Sequence, residues 1–371
     1  MQNAECRMQN PERSFRYSAF CILNSAFLLL LCGCSHQVRP YLEEPYPAKL
    51  SAWRLFVDRP AELKPNQGVV PYDLNTPLFS DYADKRRTVW MPAGQAAVYH
   101  PTESFEFPTG TIFSKTFSYG DRHIETRLLV HASTGWVGLP YVWNQEQTEA
   151  FLRVEGDSAQ VRLKDASFEY LIPNVNQCKG CHDQSKKTLP IGPKARHLNR
   201  DYAYPDGRFN QLAYWTRIGY LKGAPSADAA PRAAVWNDAA AASVEARARA
   251  YLDINCAHCH NPAGPGNTSG LDLRSTVSEP VKLGVCKVPV AAGNGSGGLR
   301  FGIAPGAPSD SILVYRMESN QPKVMMPEMG RVLAHREGVA LIREWISLLK
   351  DECGLTEDVA PRRQGAKGYG P

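Results

Sequence analysis

Two short stretches concentrate four of the ten cysteines and three of the nine histidines of this 371-residue chain: "NQCKGCHDQ" at 176–184 and "NCAHCHNPAG" at 255–264. Both contain C-x-x-C-H, the spacing by which c-type haem is attached to a polypeptide. Two intervening residues let both sulfurs reach one edge of a porphyrin as thioethers, and the histidine that follows lies under the iron. On this reading the chain carries two covalently bound haem c groups. Cys178, Cys181 and His182 hold the first, and Cys256, Cys259 and His260 hold the second. Zinc is a poorer match, because its ligand pairs usually share one small module and these pairs stand about 74 residues apart. A thioredoxin-like dithiol would open a helix after a βαβ unit, and the preceding residues do not suggest one.

The second axial ligand decides whether a haem carries electrons or works on a bound molecule. "KVMMPEMG" at 323–330 offers Met325, Met326 and Met329 as thioether donors. Met326 is the expected ligand of the second haem, since Pro327 would stiffen the turn that presents it; Met325 and Met329 stay open. His258, inside the second motif, is expected at the surface. For the first haem the candidates are His36, His100, His123, His131, His197, His335 and Met91, and the sequence does not choose among them.

The elements that must hold these groups fall into two blocks. From about 88 to 172, "TIFSKTFSYG", "HIETRLLVHA", "GWVGLPYVW", "EAFLRVEG" and "AQVRLK" follow one another between Gly and Asp punctuation, as in an antiparallel β domain. The first motif comes directly after the last of them. "NQLAYWTRIGYL" at 210–221 reads as an amphipathic helix. A further helix begins at Ser243, a natural N-cap, with Val244, Ala248, Tyr251 and Leu252 on one face, and it runs into Cys256. "HREGVALIREWISLLK" at 335–350 is another, with Val339, Ile342, Trp345, Ile346 and Leu349 along its apolar stripe.

The expected organisation is α+β. A signal segment of lipoprotein type covers 1–33, an extended lead-in 34–75 and a β-rich domain with the first motif 76–222. An Ala/Pro-rich linker follows at 223–242, then a small all-α domain with the second motif at 243–353 and a disordered tail at 354–371. In the signal segment Arg13 and Arg16 precede the apolar run at 19–31, which is too short to span a bilayer. "LCGC" resembles a lipobox, so Cys34 is expected to carry lipid and tether the mature protein to a membrane. Of ten cysteines, Cys286 and Cys353 are then left over as an even pair in an oxidising compartment. A disulfide between them is expected, with two buried free thiols as the alternative.

A hydrophobic content of 43% with 21% charged residues describes a globular chain. The net charge of +5 is spread too thinly for nucleic acid, which is not an expected partner.

With "TPLFSDYADKRR", "FPTGTIFSKTF", "IETRLLV", "GWVGLPYVWN", "NQCKGCH", "GPKARHLNRDY", "LDINCAHCHNP" and "IAPGAPSDSILVYRM…MMPEMG", the chain resembles a poorly characterised family of bacterial diheme c-type cytochromes, often lipoproteins. The part that holds the second motif is similar to class I cytochrome c, which implies roles for Cys256, Cys259, His260 and Met326. The resemblance implies an exported protein that exchanges electrons with redox partners on the periplasmic side of a bacterial membrane. The competing class is a diheme oxidoreductase or peroxidase-like enzyme acting at an open first haem. No catalytic residue is assigned from the sequence.

Overall fold

The computed structural model describes residues 37–290 and 292–350, together with Cys353. The expected signal segment, Cys34, His36 and the tail from 354 lie outside the described residues. Among those described, no helix is long and apolar enough to cross a membrane.

A six-stranded antiparallel sheet forms the largest element, with strand order β1-β2-β4-β5-β6-β7. Its strands are β1 Val70–Tyr72, β2 Asp84–Trp90, β4 Ile112–Tyr119, β5 Arg122–Ala132, β6 Gly135–Trp143 and β7 Ala150–Leu152. The two-residue β3, Ala97–Val98, pairs in parallel with Leu221–Lys222 outside this sheet. β4 and β5 are buried on both faces, because each face has its own cover. Ile112, Leu128, Val130, Leu139 and Tyr141 point towards the segment before the sheet, where they pack on Leu50, Trp53 and Leu55. Trp53 Nε1 donates to Tyr141 Oη at 2.7 Å, which fixes that cover in register. The region expected as an extended lead-in thus supplies core, although two single 3-10 turns are the only helical structure among its described residues.

The opposite face holds two apolar clusters with a polar row between them. Phe113 packs with Tyr72, Phe107, Trp136 and Trp215 at one end. Phe117 packs at the other with Val161, Tyr170 and Ile172 of the hairpin β8 Asp157–Arg162 and β9 Ser167–Ile172.

Helix α1, Val175–His182, follows β9 directly. α2 is Gln211–Arg217, shorter than the periodicity suggests because the chain turns at Ile218 to reach Leu221–Lys222. The Ala/Pro-rich stretch after it makes no regular structure and is strapped to the β-rich part instead. Asn199 Nδ2 donates to the carbonyls of Ala227 at 2.7 Å and Ala230 at 3.0 Å, and Thr76 Oγ1 donates to Ala234 O at 2.8 Å. α3 is Val244–Asn255, with Ser243 Oγ accepting from Ala246 N at 3.2 Å as an N-cap does. α4, Ile312–Glu318, and α5, Arg336–Leu348, complete a helical cluster. Ala248, Tyr251 and Leu252 of α3 meet Val339, Ile342, Trp345 and Ile346 of α5 and Val314 and Met317 of α4. Gly338 permits the close crossing, since a Cβ there would lie 2.4 Å from Tyr251 Oη. Cys286 and Cys353 form a disulfide with Cα atoms 5.1 Å apart. The protein is therefore α+β, built around one large antiparallel sheet.

Candidate functional site

Helix α1 presents the first motif. Asn174 caps it reciprocally: its side chain accepts from Gln177 N at 2.8 Å, and the Gln177 side chain accepts from Asn174 N at 2.9 Å. The helix lies on β6, where Gly138 faces Cys178; a Cβ on Gly138 would come within 2.8 Å of Cys178 Cβ. After His182 the chain forms a small hairpin, Asp183–Gln184 with Lys187–Thr188, and returns to the histidine. Leu189 O lies 2.7 Å from His182 Nδ1. A carbonyl only accepts, so Nδ1 carries the hydrogen and Nε2 keeps its lone pair for a metal.

The second motif starts at the C-terminus of α3, with Cys256 as its C-cap. His260 Nδ1 is 3.0 Å from Ser269 Oγ, whose own hydrogen goes to Gly266 O at 2.7 Å. The serine oxygen is then an acceptor, and His260 has the same tautomer as His182. Both motif histidines are thus oriented by a second-layer partner with Nε2 left open, as an imidazole that binds metal requires.

The environment suits these roles. Burial pushes His182 down to about 4, aided by Lys115 and Arg127, and burial followed by the Arg316 charge lowers His260. Both rings are neutral near pH 7. Burial raises the Cys178 and Cys181 thiols and pushes Cys256 and Cys259 up to about 12. A redox dithiol needs the reverse, a depressed thiol at a helix N-terminus. All four are free of disulfides. Among the described residues no three His, Cys, Asp or Glu side chains converge as ligands for a bare metal ion. The donor set of two thiols and one open imidazole per motif fits a covalently attached haem at each.

The two motifs touch. Gln184 Nε2 donates to His258 O at 2.6 Å, and Ser185 N donates to Ala263 O at 2.8 Å. His258, expected at the surface, is only partly exposed: its carbonyl takes part in this junction and its Nδ1 is buried. Proximity of His182 and His260 adds to burial in lowering it to about 3. The methionine loop joins them. Met329 Cε would lie 3.2 Å from a Cβ on Gly180, inside the first motif. Arg316 Nε holds Val324 O at 2.8 Å, Met326 N donates to Arg316 O at 2.9 Å, and Arg331 Nη2 donates to Met326 O at 2.8 Å. Met325 is buried, Met326 partly so, and Met329 is 38% exposed.

The described histidines considered for the first haem each have at least one ring nitrogen paired elsewhere, although His197 Nδ1 is buried without a partner. His123 uses Nδ1 on Ser118 Oγ at 2.7 Å and Nε2 on Ala61 O at 2.8 Å. His131 bonds Phe107 O at 2.9 Å and stacks on Trp136. His100 accepts from Glu103 N at 2.9 Å. His335 Nδ1 is 3.0 Å from Tyr251 Oη, and its ring stacks on Phe79. His197 Nε2 lies 2.9 Å from Asp253, and Met91 is core. The groups whose charge reaches His182 are Lys115 and Arg127 instead. Lys115 was legible as an oddity: alternation along "FSKTF" puts it on one face with Phe113 and Phe117.

No protein-family model matches this chain, and no curated protein or solved structure is similar to it.

Proposed function

We propose that this chain is an exported diheme c-type cytochrome that carries electrons between redox partner proteins on the periplasmic side of a bacterial membrane. One observation supports this above the others: two C-x-x-C-H motifs, each with its histidine oriented through Nδ1 and open at Nε2, are hydrogen-bonded to each other through Gln184 and Ser185. Haem iron held there supplies reversible one-electron chemistry.

The residues divide the work. Cys178 and Cys181 would bind the first haem as thioethers, and Cys256 and Cys259 the second. His182 and His260 would be the proximal ligands, kept neutral by burial. Met326 would supply the second protein ligand of the iron at the second motif, in a loop that Arg316 and Arg331 hold through backbone carbonyls. The crossing of α3 and α5 beside this loop supports reading 243–353 as a small cytochrome c-like domain. Lipid on Cys34 would tether the protein, the outer membrane being the expected site, since the two acyl chains of a diacylated cysteine supply the two anchors that stable attachment takes.

The test is the haem count and visible spectrum of protein matured with the haem-attachment machinery. Intact mass after acid denaturation should report two covalent haems, and the visible spectrum should show the one capped by Met326 low-spin. Met326→Ala should keep both but turn one high-spin and lower its potential. An unchanged spectrum would move the ligand to Met325 or Met329, and a count of zero would end the reading. One high-spin haem in the native protein would favour the enzyme reading.

A further inference from the structure

Strand register sets Arg87 of β2, Lys115 of β4 and Arg127 of β5 directly opposite one another. The next row on the same face is Lys85, Phe117 and Glu125. Like charges paired across adjacent strands destabilise a sheet, so such a row persists only where anions balance it. Two of the four cations are balanced. Arg87 pairs with Asp73 at 2.9 Å, and Arg127 grips Glu125 with two bonds of 2.8 and 2.6 Å. Glu125 is fully buried and also accepts from Tyr170 Oη at 2.7 Å, so its capacity is committed.

Lys85 and Lys115 have no such partner. Among the described residues neither forms an ion pair, and Lys85 Nζ donates only to Ala83 O at 3.0 Å. Their ammonium groups stand 5.8 and 5.0 Å from the centroid of the Phe117 ring, which Arg127 already covers at 4.3 Å. One ring cannot neutralise three cations. Burial is the main reason that both lysines are pushed down to about 7; Arg87 and Arg127 add to it, and Asp81 and Asp84 near Lys85 and Glu125 near Lys115 oppose it only in part. Lys115 and Arg127 also bear on Cys181 and His182, so this face belongs to the surroundings of the first motif.

We infer that Lys85 and Lys115 form a receptor for a small oxyanion, a carboxylate in the first instance, beside the first C-x-x-C-H motif. The carboxylate has two possible sources: a propionate of the haem attached to α1, or a free anion that binds next to it. The first source rests on the proposed function; the second does not.

The experiment uses the full exported chain with Lys85→Gln, Lys115→Gln, the double variant and Lys115→Arg as the charge-preserving control. Intact mass is read first. If two haems are attached and a propionate is the anion, Lys115→Gln shifts one midpoint potential negative, because a lost cation favours the ferric state. Lys115→Arg leaves that potential in place, and added acetate does not alter the native spectrum. If the anion is free, acetate produces a saturable spectral change in the native protein that is at least tenfold weaker in the double variant. Potentials and acetate response unchanged in the double variant would overturn the receptor. Absence of attached haem would sink the haem reading alone. Acetate titration by calorimetry, comparing native chain and double variant, would then still decide the anion site, and equal or absent heats would refute it.

Discussion

Gly138 earns its identity through a neighbour far along the chain. With no side chain at this position of β6, Cys178 can sit directly over the strand. An alanine there would bring its Cβ within 2.8 Å of Cys178 Cβ and 3.2 Å of Sγ. Cys178 Cβ is bonded to the α1 backbone, so the helix must lift for the clash to clear. Gly138→Ala should therefore lower stability by about 1–3 kcal/mol, as overpacking does. It should also reduce the attached haem count from two towards one, read by intact mass. Full attachment at native stability would show that Gly138 does not seat the motif. At this scale the chemistry was legible but its seating was not. Cys178, Cys181 and His182 announce themselves by spacing, whereas nothing in "GWVGLP" says that one glycine faces a cysteine on a later helix. Lys115 lies between these cases, since its place between two inward phenylalanines is written in the strand pattern and only its missing partner needs coordinates.

Helix α1 has eight residues and none of them is fully buried. A helix this short gains little from its own hydrogen bonds, so its ends and its contact with β6 must hold it. The reciprocal cap between Asn174 and Gln177 satisfies amides that would otherwise be orphaned at its N-terminus. Asn174→Ala should cost about 1 kcal/mol, concentrated in this element. Hydrogen exchange should accelerate at the amides of 177–182 while the amides of β4 and β5 keep their protection. Uniform acceleration over the sheet would mean that α1 does not open independently. Elements with a strong period were the ones sequence could read: β4, β5, β6, α3 and α5 lie close to where alternation or the helical stripe puts them. The segment at 38–69 was not, because its cover of the sheet depends on Leu50, Trp53 and Leu55, which follow no period. The contacts of the Ala/Pro-rich stretch before α3 follow no period either, as its Ala227 and Ala234 carbonyls accept from Asn199 and Thr76 rather than from neighbours in sequence.

Across the whole molecule, a buried ionic cluster fixes α3, and with it the second motif, to the β-rich part that bears the first. Asp253 of α3 receives Arg196 at 2.7 and 2.9 Å and His197 Nε2 at 2.9 Å, and all three residues are buried. Burial alone would raise the Asp253 carboxyl, but the hydrogen bonds from His197 and Arg196 outweigh it and hold the carboxyl well below the usual range. Burial keeps His197 below the ordinary histidine value despite Asp253. Asp253→Asn would leave Arg196 buried without its counter-charge, a loss of about 3–5 kcal/mol at pH 7. The pH dependence separates charge from shape. Both folded-state values are depressed, so each group stabilises the fold above its unfolded value and loses that contribution on acidification. The histidine contribution begins to fall below about pH 6.5 and the carboxylate contribution below about pH 4. Native stability, measured by denaturant unfolding, should decline in those two stages. The deficit of Asp253→Asn relative to the native chain should be full at pH 5 and shrink as pH drops under 4, where the native carboxylate itself starts to take up its proton in the unfolded state. A deficit that stays constant to pH 3 would mean that Asp253 acts through its shape and hydrogen bonds and not its charge. The clamp between the two motif-bearing parts would then survive neutralisation.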